Sequence, residues 1–207
     1  MLQLLLLTFA WAVGLSAHAE PQQQVSIEYQ GLRLNALYQS GSQEPVILIV
    51  HGTLGHNEMD VIQGLRSALT EEGFGSLSIN LGLGVDDRHG SYDCSQPHRH
   101  QHGDAVGELQ QWVDWLKELD QNTIIMLGHS RGGNQLARYL ADKPDAAVKA
   151  GVLLAPIMPR WQQQQADYEK RFGVDLAPVL MAAEEEIKLG RGEQQMPNVG
   201  LLYCDPG

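Results

Sequence analysis

Positive charge is scarce in this chain. Fourteen Lys and Arg stand against 25 Asp and Glu, a formal net charge of −11. Neutralising phosphates takes a basic footprint, so nucleic acid and anionic membrane surfaces are excluded as partners. Cysteine is nearly absent too. Only Cys94 and Cys204 occur, and neither belongs to a C-x-x-C pair, which excludes dithiol redox chemistry. Beyond residue 19 no apolar run is long enough for a membrane span. No repeat with a period of about 20 to 50 residues occurs, which excludes a solenoid. Histidine is missing from one whole region: none follows His129.

What remains is 207 residues, 43% apolar and 19% charged, the make-up of one medium-sized globular domain. Residues 1–19 read as a secretory signal peptide. They are apolar from Leu4 to Leu15 and end in Ala17-His18-Ala19, an A-x-A cleavage pattern before Glu20. The competing reading is an uncleaved anchor, for which the apolar stretch is short. No Cys stands at the cleavage point, which disfavours a lipoprotein. Export predicts a secreted or periplasmic protein, a mature domain over 20–207, and no transmembrane segment after cleavage. It also predicts one Cys94–Cys204 disulfide, pinning a long histidine-bearing loop to the segment after the last helix. Nothing in the sequence sets an oligomeric state.

Two short runs, Val25–Tyr29 and Leu32–Tyr38, flank Gly31 and predict an antiparallel hairpin. Val46–Val50 is apolar without alternation, the mark of a strand buried on both faces of a parallel sheet. Further strands are expected at Ser76–Leu81, Thr123–Leu127 and Val148–Leu154. Helical spacing runs over Met59–Leu69, Asp104–Leu119, Arg131–Leu140 and, more weakly, Leu176–Leu189. Strands alternating with helices predict an α/β domain with a mainly parallel sheet flanked by helices. Gly82–Gly103 has no period, and around Trp161 lies a polar, Gln-rich stretch with Trp161 expected in core or lid packing.

The sharpest motif is Gly128-His129-Ser130-Arg131-Gly132, set between an apolar strand and a helix. A G-x-S-x-G at that junction is the requirement for a nucleophile elbow. The serine sits on a strained turn with Oγ proud of the sheet, and Gly128 and Gly132 carry no Cβ to collide across it. The Arg131 N–H at the helix start then faces a developing oxyanion. The competing reading is a Gly-rich turn whose serine caps the helix. A second turn, His51-Gly52-Thr53-Leu54, follows the Val46–Val50 strand at once. It offers the Thr53 N–H, ahead of Leu54, as the other oxyanion donor. His51 is expected to brace that turn more than to act as a base, and His129 points away from the Oγ direction.

These motifs resemble the α/β-hydrolase superfamily, and HGTLGHN, NLGLGVDDRHGSYDC, PHRHQHGDA and GHSRGGNQLARYL resemble uncharacterised bacterial secreted members. The resemblance spans roughly Val25–Pro156. It implies a serine hydrolase acting on a small-molecule ester or related acyl bond, with Ser130 as nucleophile and an acid and a histidine later in the chain. Asp205 is placed to be the acid or an ordinary loop residue. The late histidine is not there. The sequence therefore predicts a chain ending in mid-element, holding the first half of that fold with its C-terminal part missing and weak or no activity as it stands. The alternatives are an upstream histidine as base, or a dead site.

Within 19 positions crowd Asp86, His89, Cys94, His98, His100, His102 and Asp104. Three readings apply: a polar network, a pocket lining that supplies substrate contacts or the base, and a divalent-metal site. In the last, His98, His100 and His102 converge with Asp86 or Asp104. No other cofactor is indicated. Two further function classes follow, a non-catalytic binding or scaffold protein and a metal-assisted hydrolase.

Overall fold

The computed structural model describes residues 21–142, 145–158 and 160–205. The export signal expected at 1–19 lies outside the described residues. Eleven elements follow in the order β1 (Gln23–Tyr29), β2 (Leu32–Gln39), β3 (Gln43–Val50), α1 (Asp60–Glu71), β4 (Phe74–Ile79), α2 (Asp104–Glu118), β5 (Ile124–His129), α3 (Arg131–Asp142), β6 (Val148–Leu154), α4 (Trp161–Phe172) and α5 (Leu176–Lys188). They build a six-stranded sheet of order β1-β2-β4-β3-β5-β6. The first two junctions are antiparallel and the last three parallel.

The missing alternation in β3 has a simple cause. Val46, Leu48 and Val50 face a large core with Leu109, Trp112, Leu116, Leu136 and Tyr139 of α2 and α3. Ile47 and Ile49 face a smaller one with Ile62 of α1. Both sides of this central strand are therefore apolar. Its carboxyl end, and that of its neighbour β5, carry the two turns described below.

Three expectations are corrected. Val148–Leu154 is a strand, but its apolar side chains are not interior: Val152, Leu153 and Leu154 are 45%, 43% and 38% exposed. β6 is the outer strand of the sheet, and none of α4 or α5 is buried against it. The polar stretch around Trp161 is the helix α4, with Trp161 half exposed in its first turn. Finally, the expectation that the chain holds only the first half of its fold and breaks off in mid-element does not stand. The chain is folded through Asp205. Val199–Cys204, which reads as an interrupted strand, makes a tight turn closed by reciprocal Leu201 and Cys204 backbone hydrogen bonds of 3.1 and 2.9 Å. Leu202 packs on the main core, and Cys204 is bonded to Cys94 across 110 residues. No described helix is long and apolar enough to cross a membrane.

Candidate active site

At the end of β5 the chain turns sharply into α3. Ser130 occupies the turn with φ +53°, in the left-handed region that L-residues rarely adopt. Its N–H donates to Leu154 O of β6 at 2.9 Å, and its carbonyl accepts from Gly133 N at 2.9 Å. Two residues to either side of it, at Gly128 and Gly132, no side chain fits. A Cβ on Gly128 would meet the backbone of Gly132 and Gly133, and one on Gly132 would meet the carbonyl oxygens of Val50 and His51. The glycines thus let α3 start directly against β3 and β5.

The turn after β3 lies against this elbow. It is closed by Gly55 N donating to Gly52 O at 3.2 Å, with Leu54 at φ +50°. A Cβ on Gly52 would stand 3.2 Å from Ser130 Cβ and 3.4 Å from His129 Nδ1. Thr53 follows Gly52 in the chain and Arg131 follows Ser130. His129 packs beneath Gly52, its Nδ1 buried without a hydrogen-bond partner.

His51 is a brace. It is buried, Nδ1–H donates to Gly52 O at 2.8 Å, and Nε2 accepts from Leu81 N at 3.2 Å and from Arg88 at 3.1 Å. Burial and the adjacent Arg88 charge depress its pKa to about 3, which keeps the ring neutral in that role. Arg88 holds the long loop to the sheet. Its guanidinium also donates to Leu81 O at 2.8 Å and Gly90 O at 2.5 Å. Beside it, Asn80 donates to Asn35 Oδ1 at 2.7 Å, and Asn35 to Arg88 O at 3.0 Å. Glu108 of α2 accepts from Gly82 N at 2.8 Å, and burial raises its carboxyl to about 7. An asparagine inside β2 and another directly after β4 are the signal by which this network was accessible to sequence reading.

The histidine loop is therefore divided among several tasks. Asp86 accepts from Arg33 N at 2.6 Å, and Asp104 from Gln101 N at 2.6 Å. His89 is half exposed, 3.4 Å from Asp87. His98 stacks on Tyr92 at a centroid distance of 4.5 Å, with both ring nitrogens buried and unpartnered. The metal reading fails on this geometry: the two aspartates are committed to backbone N–H groups. Among the described residues no three His, Cys, Asp or Glu converge on a point. Asp205 stands 3.7 Å from Arg171 with an exposed side chain, away from the elbow's cavity lining.

His100 and His102 go elsewhere. Together with Gly52, Thr53, Arg131, Gln135 and Leu202 they line a cavity of about 10 Å³ beside the elbow. That is room for about one water. Ser130 itself is not in the lining; its neighbour Arg131 is. Burial, then His98 and Arg131, push the His100 pKa down to about 4. Burial, Arg131 and Arg138 lower His102. His100 also borders a wider groove of about 750 Å³ between residues 94–101 and 192–205.

The chain matches the family described as alpha/beta hydrolase fold over residues 45–185. No curated protein matches it. An esterase from Butyrivibrio proteoclasticus, solved with ferulic acid bound, is 25% identical with a TM-score of 0.57, over 75% of this chain and 61% of its own. An alpha/beta hydrolase from Penicillium sp. sh18 is 19% identical with a TM-score of 0.61, over 90% and 62%. A Pyrococcus furiosus esterase is 17% identical with a TM-score of 0.57, over 78% and 61%. The chain thus covers 61 to 62% of the length of each of these structures. With a family match across two thirds of its length, the chain belongs to the α/β-hydrolase-fold family.

Proposed function

We propose that this protein is a serine hydrolase of a small-molecule ester or related acyl bond, with Ser130 as its nucleophile. The observation that carries the reading is Ser130 at φ +53° between two glycines with no space for a Cβ, pressed against Gly52. Such strain persists where a site needs it. Ser130 Oγ attacks the acyl carbon while an imidazole takes its proton. The N–H groups of Thr53 and Arg131 hold the oxyanion. Collapse breaks the bond to the alcohol, which leaves with the proton, and water then releases the acyl group by the same steps. The base comes from His100 or His102. They line the cavity with Thr53 and Arg131, whereas His51 is committed to bracing and His89 and His98 stand outside the lining.

A fluorophosphonate probe and a panel of 4-nitrophenyl esters test this. Ser130→Ala is expected to abolish labelling and to lower turnover by about 10³-fold or more. A non-catalytic binding protein has one observation in its favour, the cavity of only about 10 Å³. Unlabelled, inactive wild-type protein would establish that second reading.

Export completes the proposal. The A-x-A sequence at 17–19 and the Cys94–Cys204 disulfide both support an oxidising compartment outside the cytoplasm. Sequencing the mature N-terminus should return Glu20. Protein retained in the cytoplasm with Met1 in place would reject it.

A further inference from the structure

Arg131 does more than present its backbone. Its side chain is half buried, and among the described residues no carboxylate pairs with it and no hydrogen bond engages its guanidinium. A partly desolvated cation is costly unless something answers its charge. In a chain with 25 acidic residues a partner would be easy to supply. Instead the cavity that Arg131 shares with His100, His102 and Gln135 has no acidic residue in its lining. The one carboxylate that acts on His100 is Asp104, already accepting from Gln101 N, and none acts on His102. Arg131 is also the first residue of α3, so the positive end of a 12-residue helix adds to the same place. His100 Nδ1 is buried there without a partner.

We propose that Arg131, flanked by His100 and His102, is the subsite for an anionic group, and that the esters this protein cleaves carry a carboxylate. The inference rests on the serine-hydrolase reading for the word ester; carboxylate binding by the cluster does not. Leu202, a partly exposed residue of the same lining, shifts to admit the carboxylate, which takes a charge-assisted hydrogen bond from the guanidinium. The rest of the substrate extends past His100 into the wider groove, which that residue also borders. Binding would have a chemical consequence as well. The Arg131 charge is among the causes that depress His100 and His102, and pairing it with a carboxylate removes that cause. Both imidazoles then become more basic, toward the range in which a general base works near neutral pH. A substrate of this kind improves the base it needs.

The overall field opposes this preference, because a molecule of net charge −11 repels anions at long range. A preference for the charged ester therefore reports the local cluster. Two measurements on the whole chain separate the possibilities. In the first, Ser130→Ala protein is titrated with monomethyl glutarate and with neutral dimethyl glutarate. The anion should bind about 10-fold tighter, with the preference gone in a further Arg131→Gln change and largely kept in Arg131→Lys. In the second, wild-type kcat/KM is compared for 4-nitrophenyl hydrogen glutarate against 4-nitrophenyl pentanoate, and for the butyrate ester of 4-hydroxybenzoate against phenyl butyrate. At least one charged ester should lead its neutral partner by about 10-fold, shrinking as salt is added. Anion preference in binding without any turnover keeps the subsite and removes the hydrolase. Turnover without charge preference in either pair, or glutarate binding insensitive to Arg131→Gln in a variant with a wild-type circular dichroism spectrum, overturns the subsite.

Discussion

Gly132→Ala is expected to abolish fluorophosphonate labelling and to destabilise the fold on the order of 3 kcal/mol. The added Cβ points at the carbonyl oxygens of Val50 and His51. Those atoms cannot yield, because β3 is the central strand, paired with β4 on one side and β5 on the other. Relief must come from α3 lifting away, which carries the Arg131 N–H and Ser130 with it. Gly64→Ala is the control. That glycine lies within α1 with nothing inside 4 Å of its would-be Cβ. There alanine should stabilise by about 0.5–1 kcal/mol through helix propensity. Urea unfolding of the two variants checks both signs. A Gly132→Ala protein within 1 kcal/mol of wild type, still labelled at the wild-type rate, would falsify the crowding argument.

Replacing both Cys94 and Cys204 by serine should cost about 5 kcal/mol in the chain-entropy account, since the bond closes a loop of 110 residues. For a domain of this size the expected fall in Tm is roughly 10 °C. The loss should also reach the site. Leu202, two residues from Cys204, lines the cavity beside the elbow, and the Tyr92 N–H ties the loop that carries Cys94 to Leu54 O at 2.9 Å. Differential scanning calorimetry with and without reductant tests the stability claim. A Tm unchanged by reduction, with both thiols shown to alkylate, would show that the link restrains nothing.

The elbow was legible because it is local. Strand, G-x-S-x-G and helix are consecutive, and each constraint on Gly128, Ser130 and Gly132 acts within a few residues. β3 was legible because burial on two faces leaves an apolar run, and α2 because its one buried stripe keeps helical period. α4 was not. Its residues Trp161–Phe172 bury nothing, so no stripe marks it. The Arg131 side chain was passed over because its surroundings come from His100 and His102, about 30 residues away along a loop without period. The metal reading went wrong for the same reason. Spacing put three histidines in a row, but Tyr92 took His98 by stacking while His102 reached the cavity. The Val199–Cys204 run looked like a strand cut short because the cystine and the Leu202 contact that make it a turn lie 110 residues apart in sequence.

The Cys94–Cys204 bond makes one part of this molecule a ring and leaves the rest a tail. Inside the ring are α2, β5, α3, β6, α4 and α5; outside it are β1, β2, β3, α1 and β4. In the sheet order β1-β2-β4-β3-β5-β6 the two groups do not mix, and the seam between them runs along the β3–β5 junction. Gly52 and Thr53 stand on the tail side of that seam and Ser130 and Arg131 on the ring side. A single nick within residues 95–203 leaves one covalent molecule, while a nick at 51–93 releases a piece that carries β3. The two halves of the proposed oxyanion site are thus joined through space by hydrogen bonds and packing. Whatever parts ring from tail dismantles the site with every bond of the ring intact.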